Sequence, residues 1–304
     1  MFRSLILLAA LVAGGSALVT PTTEFNCPRG YSRLVTFGDS LTDTGNTFRL
    51  SNQQTPNPAL YAAGRFSNGP VWTEYAAQKI GIQYRDYAYG GATSDNRLVN
   101  GVVSSTDPTV VPSTYDQAYK YLPFANANRF QARQALYTII VGANDYVNAL
   151  KGGMDINAQF AASVVDRIVN VVDTLYKTAG AQEIIVSGLP LIEATPYIQA
   201  MDVSVQNAFK QISALHNMLL ADKVKEYAAK NQNINLKYFD LSAYTRKVIE
   251  DKDKHGFAVV DKSCLDKNTG AACANPEEYF FWDPLHPTTK GHKLLADGII
   301  AMLA

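Results

Sequence analysis

The run Leu136-Tyr137-Thr138-Ile139-Ile140-Val141, halted by Gly142, constrains the fold of this chain more than any other stretch. Six residues dominated by β-branched and apolar side chains, with almost no polar alternation, suit a parallel strand covered on both faces. Four further β-prone segments accompany it, at 33–37, 82–87, 183–186 and 236–239. Helical patterns lie between and after them. Pro70 opens one that carries Trp72, Tyr75, Ala76 and Ile80 and is closed by Gly81. Others span 161–176, 205–229 and, at the end of the chain, 288–303. Strands alternating with helices predict an α/β fold, a five-stranded parallel sheet with helices on both faces. Ligands bind such sheets beyond the carboxyl ends of the strands. Ser40, Gly90-Gly91 and Asn144 follow the first, second and third strands. The connections 41–69 and 92–130, rich in Asn, Thr, Ser, Pro and Tyr, are expected to be long functional or mobile loops.

Met1-Phe2-Arg3, a short apolar run over 4–13 and the small residues Gly15-Ser16-Ala17 predict a signal peptide over 1–17. The remainder, 18–304, shows no linker or repeat and is expected to form a single domain, secreted to the extracellular space. No later stretch is long and apolar enough to span a membrane. Acidic and basic residues balance at 27 each, without a Lys/Arg-rich run. Nucleic acid is therefore not an expected partner. Export permits a disulfide between Cys264 and Cys273, which flank a short loop, and leaves Cys27 buried or free.

A serine becomes a useful nucleophile only when a base takes its proton and donors hold the resulting oxyanion. Ser40 lies in Phe37-Gly38-Asp39-Ser40-Leu41-Thr42-Asp43. The four candidate bases are His216, His255, His286 and His292. His286 stands apart, because Asp283 precedes it by three residues and a tight turn could bring the carboxylate to Nδ1. The alternative is that both residues merely cap the last helix. His216 and His292 fall within helical patterns, and His255 among charges. Asn144 could aim its amide at a developing negative charge or form an Asx turn. Gly90-Gly91 could bring a backbone N–H to substrate or serve turn geometry alone.

Gly38-Asp39-Ser40-Leu41, Gly91, Gly142-x-Asn144-Asp145 and Asp283-x-x-His286 resemble, in order, the four blocks of the GDSL or SGNH hydrolase family. Gly64-Arg65-Phe66-Ser67-Asn68-Gly69, Ser187-Gly188-Leu189-Pro190 and the helix around Phe209 resemble its long secreted esterases and lipases. The resemblance runs from about residue 33 to the end of the chain. It implies a three-layer α/β/α, flavodoxin-like SGNH hydrolase domain without a metal or other cofactor. It also implies Ser40 as nucleophile, His286 as base and Asp283 as its partner. The oxyanion donors would be the backbone N–H groups of Ser40 and Gly91 and the side chain of Asn144. Asp39 is expected to stabilise the turn rather than exchange protons.

The expected activity is that of a secreted serine esterase working through an acyl-enzyme. Resemblance to the fungal-type carbohydrate acetyl esterases points to short-chain or acetyl esters of carbohydrates, a small-molecule or oligosaccharide substrate. A lipase, phospholipase or acyltransferase acting on longer acyl lipids is the first alternative. A non-catalytic binding or effector protein on the same scaffold is the second. Tyr279-Phe280-Phe281-Trp282 could contact sugar or acyl groups, although buried rings more commonly build core.

Overall fold

Apolar strands buried on both faces require helices on both sides, and the computed structural model of the chain, which describes residues 30–303, has that arrangement. The expected signal peptide and Cys27 lie outside the described residues. Along the chain come β1 (Leu34–Gly38), α1 (Asn46–Leu50), α2 (Trp72–Ile80), β2 (Tyr84–Asp86), α3 (Thr114–Ala127), α4 (Arg129–Arg133) and β3 (Leu136–Ile140). Next are α5 (Ala143–Lys151), α6 (Ala158–Thr174), β4 (Glu183–Ser187), α7 (Pro196–Gln199), α8 (Val203–Lys230), β5 (Asn235–Phe239) and α9 (Leu241–Glu250). A separate strand pair, β6 (Val259–Ser263) and β7 (Tyr279–Phe281), precedes α10 (Thr289–Ala301).

The main sheet has the order β2-β1-β3-β4-β5 with every pair parallel. Successive side chains alternate between two cores. Leu34, Leu136, Ile140 and Ile185 face α2 and α10, with Trp72, Leu295 and Ile299. Val35, Phe37, Tyr137, Ile139, Ile184 and Val186 face α3, α6 and α8. The result is a three-layer α/β/α sandwich whose strand order reverses direction between β1 and β3, the position where such sheets open a crevice. No helix among the described residues is long and apolar enough to cross a membrane.

The two expected long loops are more ordered than their composition suggests. Residues 92–130 contain the fourteen-residue helix α3 despite Pro123 in its interior. Ser113 and Asp116 form a capping box at its start. Burial of Gln117, Ala118, Tyr121 and Ala125 then outweighs the missing proline donor. In 41–69, the Asp43 carboxylate accepts from the N–H groups of Gly45, Asn46 and Thr47, which folds the chain into α1. The helices α4, α5, α7 and α9 and the β6–β7 pair were not anticipated. Most are short, below the length at which a hydrophobic period becomes legible.

Candidate active site

Ser40 stands in the turn that leaves β1. The Asp39 carboxylate accepts from the Leu41 N–H at 3.0 Å, and the Asp39 carbonyl accepts from Thr42 and Asp43. Asp39 thus shapes the turn, as expected, and burial pushes its carboxyl up to about 6. The Ser40 N–H makes no hydrogen bond among the described residues, so it is available to a ligand.

The loop after β2 supplies a second free donor, and the register within Gly90-Gly91 follows from the hydrogen bonds. The Gly90 N–H donates to Asp43 Oδ2 at 2.8 Å, so that group is engaged. Gly91 N–H has no partner among the described residues. Gly91 also needs its missing side chain, since φ is +84° and an added Cβ would fall 1.9 Å from the Val102 carbonyl oxygen. Asn144, in the first turn of α5, donates one amide hydrogen to the Ala92 carbonyl at 2.9 Å and keeps the other. Its neighbour Asp145 accepts from Ser94 N–H at 2.9 Å and from its hydroxyl at 2.5 Å, and burial pushes this carboxyl up to about 7.

Asp283 and His286 occupy a tight turn rather than a helix cap. Asp283 Oδ1 accepts the backbone N–H groups of Leu285 and His286, each at 2.8 Å. The cap of α10 is Thr288, whose side chain accepts from the Gly291 N–H. His286 Nδ1 lies 2.9 Å from both Asp283 oxygens, and Nε2 lies 2.8 Å from Ser40 Oγ. An ionised carboxylate only accepts, so Nδ1 carries the proton and Nε2 faces the serine hydroxyl as acceptor. Burial alone would raise the Asp283 carboxyl, but His286 and then Lys267 outweigh it and hold it well below the usual range. Ser40, Asp283 and His286 therefore meet, with the Gly91 and Asn144 loops beside them.

The remaining histidines are elsewhere. His216 is fully buried, its Nδ1 2.7 Å from the Tyr146 hydroxyl, and burial pushes it down to about 3. His292 is fully buried in α10 and pushed down to about 3, by burial first and then by His286. Both are held neutral. His255 lies in the turn before β6.

Two residues at the site, Tyr61 and Lys267, carry no local sequence signal. The Tyr61 hydroxyl donates to Asp283 Oδ2 at 2.6 Å, and Lys267 Nζ lies 2.8 Å from the same oxygen. The Phe66 ring sits 5.3 Å from the His286 ring and so close to Gly90 that an added Cβ there would lie 2.1 Å from it. Ser67 Oγ donates to the Pro287 carbonyl and Thr289 N–H donates to Asn68 Oδ1. The stretch 64–69 thus clasps the turn that bears His286. Cys264 and Cys273 form the expected disulfide.

Ser40, Asn144 and His286 open onto a cleft. Its walls are mainly apolar and include Leu191, Ile192, Leu241, Val248, Phe280 and Leu294. Phe280, Phe281 and Trp282 are core, as their burial shows, with Tyr279 partly buried, yet Phe280 and Phe281 also line this cleft. Trp282 instead packs with Tyr61, Cys264 and Leu265.

Known proteins resemble this chain over most of its length. The thermolabile hemolysin of Vibrio parahaemolyticus is 28% identical over 291 residues, covering 90% of this chain and 64% of that protein. The phosphatidylcholine-sterol acyltransferase of Aeromonas hydrophila is 26% identical over 312 residues, covering 88% of each. Among solved structures, Est24, a carbohydrate acetylesterase from Sinorhizobium meliloti, has a TM-score of 0.44 at 16% identity, covering 89% of this chain and 99% of that one. The model of GDSL-like lipases and acylhydrolases matches residues 34–299, and the chain belongs to that family of hydrolases.

Proposed function

We propose that this hydrolase cleaves carboxylic esters by a two-step acyl transfer at Ser40, with an apolar acyl chain seated in the cleft. The observation that carries the reading is the unbroken contact from Asp283 through His286 to Ser40, at 2.9 and 2.8 Å, beside unpaired donors. Ser40 Oγ attacks the ester carbonyl while His286 Nε2 accepts its proton. The oxyanion is held by the N–H groups of Ser40 and Gly91 and the second amide hydrogen of Asn144. His286 then gives its proton to the departing alcohol, and a water activated by the same ring releases the acid. Asp283 keeps the ring in its Nδ1–H tautomer and stabilises the imidazolium.

The apolar walls bear on the acyl group. An acetyl group would use little of them, whereas each methylene buried there is worth about 0.8 kcal/mol. The cleft therefore favours the longer-acyl alternative over the carbohydrate acetates that the subgroup resemblance favours. A panel of nitrophenyl esters from acetate to palmitate, beside acetylated xylo- and cello-oligomers, tests this. The expected result is a kcat/KM that rises about two- to fourfold per methylene through the shorter members. A maximum at acetate, or faster release from the acetylated oligomers, would return the substrate to the carbohydrate class. Fluorophosphonate labelling of wild type and not of Ser40→Ala is expected, and no labelling of folded wild type would favour a non-catalytic scaffold. Added alcohol acceptors measure acyl transfer in competition with hydrolysis.

Secretion is part of the same proposal. It is supported by the character of residues 1–17 and by a disulfide, which persists in oxidising compartments. N-terminal sequencing of the protein recovered from culture medium is expected to begin just after Ala17.

A further inference from the structure

Asp283 is fully buried, yet its Oδ2 receives a cation from a surface hairpin. Lys267 Nζ lies 2.8 Å from that oxygen, with the lysine side chain 46% exposed and the carboxylate at 0%. The hairpin is tied to the strand that leads into Asp283. Leu265 N–H donates to the Trp282 carbonyl at 2.7 Å and Cys264 N–H to that of Phe281 at 3.0 Å. Its two arms are joined by the Cys273 N–H to Cys264 carbonyl bond and by the disulfide. At the tip, Asp266 accepts from Asn268 N–H and the Thr269 hydroxyl, each at 2.9 Å, which fixes the backbone on either side of Lys267. The Tyr61 ring centre lies 5.7 Å from Nζ.

We propose that Lys267, delivered by the Cys264–Cys273 hairpin, is a positioning residue that clamps Asp283, offsets part of its charge and so lowers the pH at which His286 is free to act as base. The proposal rests on the reading of His286 as the base. Asp283 stabilises the protonated ring by its charge, and a cation on the opposite oxygen weakens that attraction. The other groups facing His286 are few. Ser40 touches Nε2, the Phe66 ring is apolar, and His292 from α10 is held neutral. Asp39, pushed up to about 6 by burial, also faces the ring, but it is unchanged by substitution at Lys267 and drops out of the comparison. Lys267 is not among the residues that line the cleft, so its effect is on Asp283 and His286 and not on a bound substrate.

Lys267→Met keeps the stem and removes the charge, while the Tyr61 hydroxyl continues to satisfy Asp283 Oδ2. The primary test is an NMR titration of the His286 ring, assigned by comparison with His286→Gln, because it needs no substrate. The midpoint in Lys267→Met is expected to move to higher pH by about half to one unit, and Lys267→Arg is expected to keep the wild-type value. The acid limb of kcat/KM should move with it, while KM above the limb stays unchanged. Cys264→Ser with Cys273→Ser should shift the midpoint in the same direction and add little in a Lys267→Met background. An unchanged midpoint in folded Lys267→Met, or an equal shift in Lys267→Arg, overturns the charge role. An unchanged midpoint in the folded double cysteine variant overturns the role of the hairpin. A shifted midpoint in a protein that hydrolyses no ester would sink the esterase reading and leave the clamp standing.

Discussion

Gly91 joins backbone shape to chemistry in a single residue. An added methyl would strike the Val102 carbonyl oxygen on a backbone already at φ +84°, so Gly91→Ala must displace the loop that presents the N–H. Ester hydrolysis by Gly91→Ala is expected to lose about 10²–10³ in kcat, as is that by Asn144→Ala, with KM little affected. Thermal melting separates the two. Gly91→Ala should also lower Tm, whereas Asn144→Ala, which frees only the Ala92 carbonyl, should stay near wild type. A kcat for Asn144→Ala within a few fold of wild type would remove that residue from the oxyanion site. The residues legible in sequence were those whose chemistry is local: Ser40 at the end of a strand, and Asp283 three positions before His286. Tyr61 was not legible, because 222 residues separate it from Asp283 and it lies in a loop with no periodic pattern. Lys267 was hidden similarly, as one of several polar residues between two cysteines.

Among the elements, α3 shows how a helix far from the reacting atoms supports them. Its Gln117, fully buried, accepts from the Gly38 N–H and donates to the Gly38 carbonyl, each at 2.9 Å. These bonds complete the end of β1, two residues before Ser40. Gln117→Leu would leave the buried Gly38 N–H unpaired and its carbonyl with the Tyr89 N–H alone, and denaturant unfolding is expected to report a loss of about 1–3 kcal/mol with reduced kcat. Ser113→Ala, which removes only the cap of the same helix, should cost about 1 kcal/mol and leave kcat near wild type. Equal catalytic damage from both changes would mean that the helix as a whole, not Gln117, sets the turn. The sheet was legible because strands buried on both faces carry near-continuous apolar runs. The helix α3 was masked by Pro123, and its stability comes from packing that no local propensity encodes.

At the scale of the whole molecule, buried carboxyl groups make stability depend on pH in a particular direction. Asp145 titrates at about 7 when folded, pushed up by burial, against a usual value of about 3.8. Its contribution to stability is therefore present in full below about pH 4, declines as the pH rises through 7, and is lost above it. Asp145→Asn can keep both contacts to Ser94 without carrying charge. Its Tm relative to wild type is expected to improve from pH 4 to about pH 7 and to level off above that, by the equivalent of a few kcal/mol at most. Parallel Tm curves for the two proteins over that range would show that folding does not raise the Asp145 pKa. The position of the reacting atoms along the chain has its own consequence. Ser40 meets His286 across 246 residues, and both the hairpin and the tight turn come after β5. A growing polypeptide therefore carries an inert serine until the segment that bears His286 has been made. On the proposed mechanism, ester cleavage begins only when that segment docks, so ester bonds in the compartment where the chain is made are spared until then.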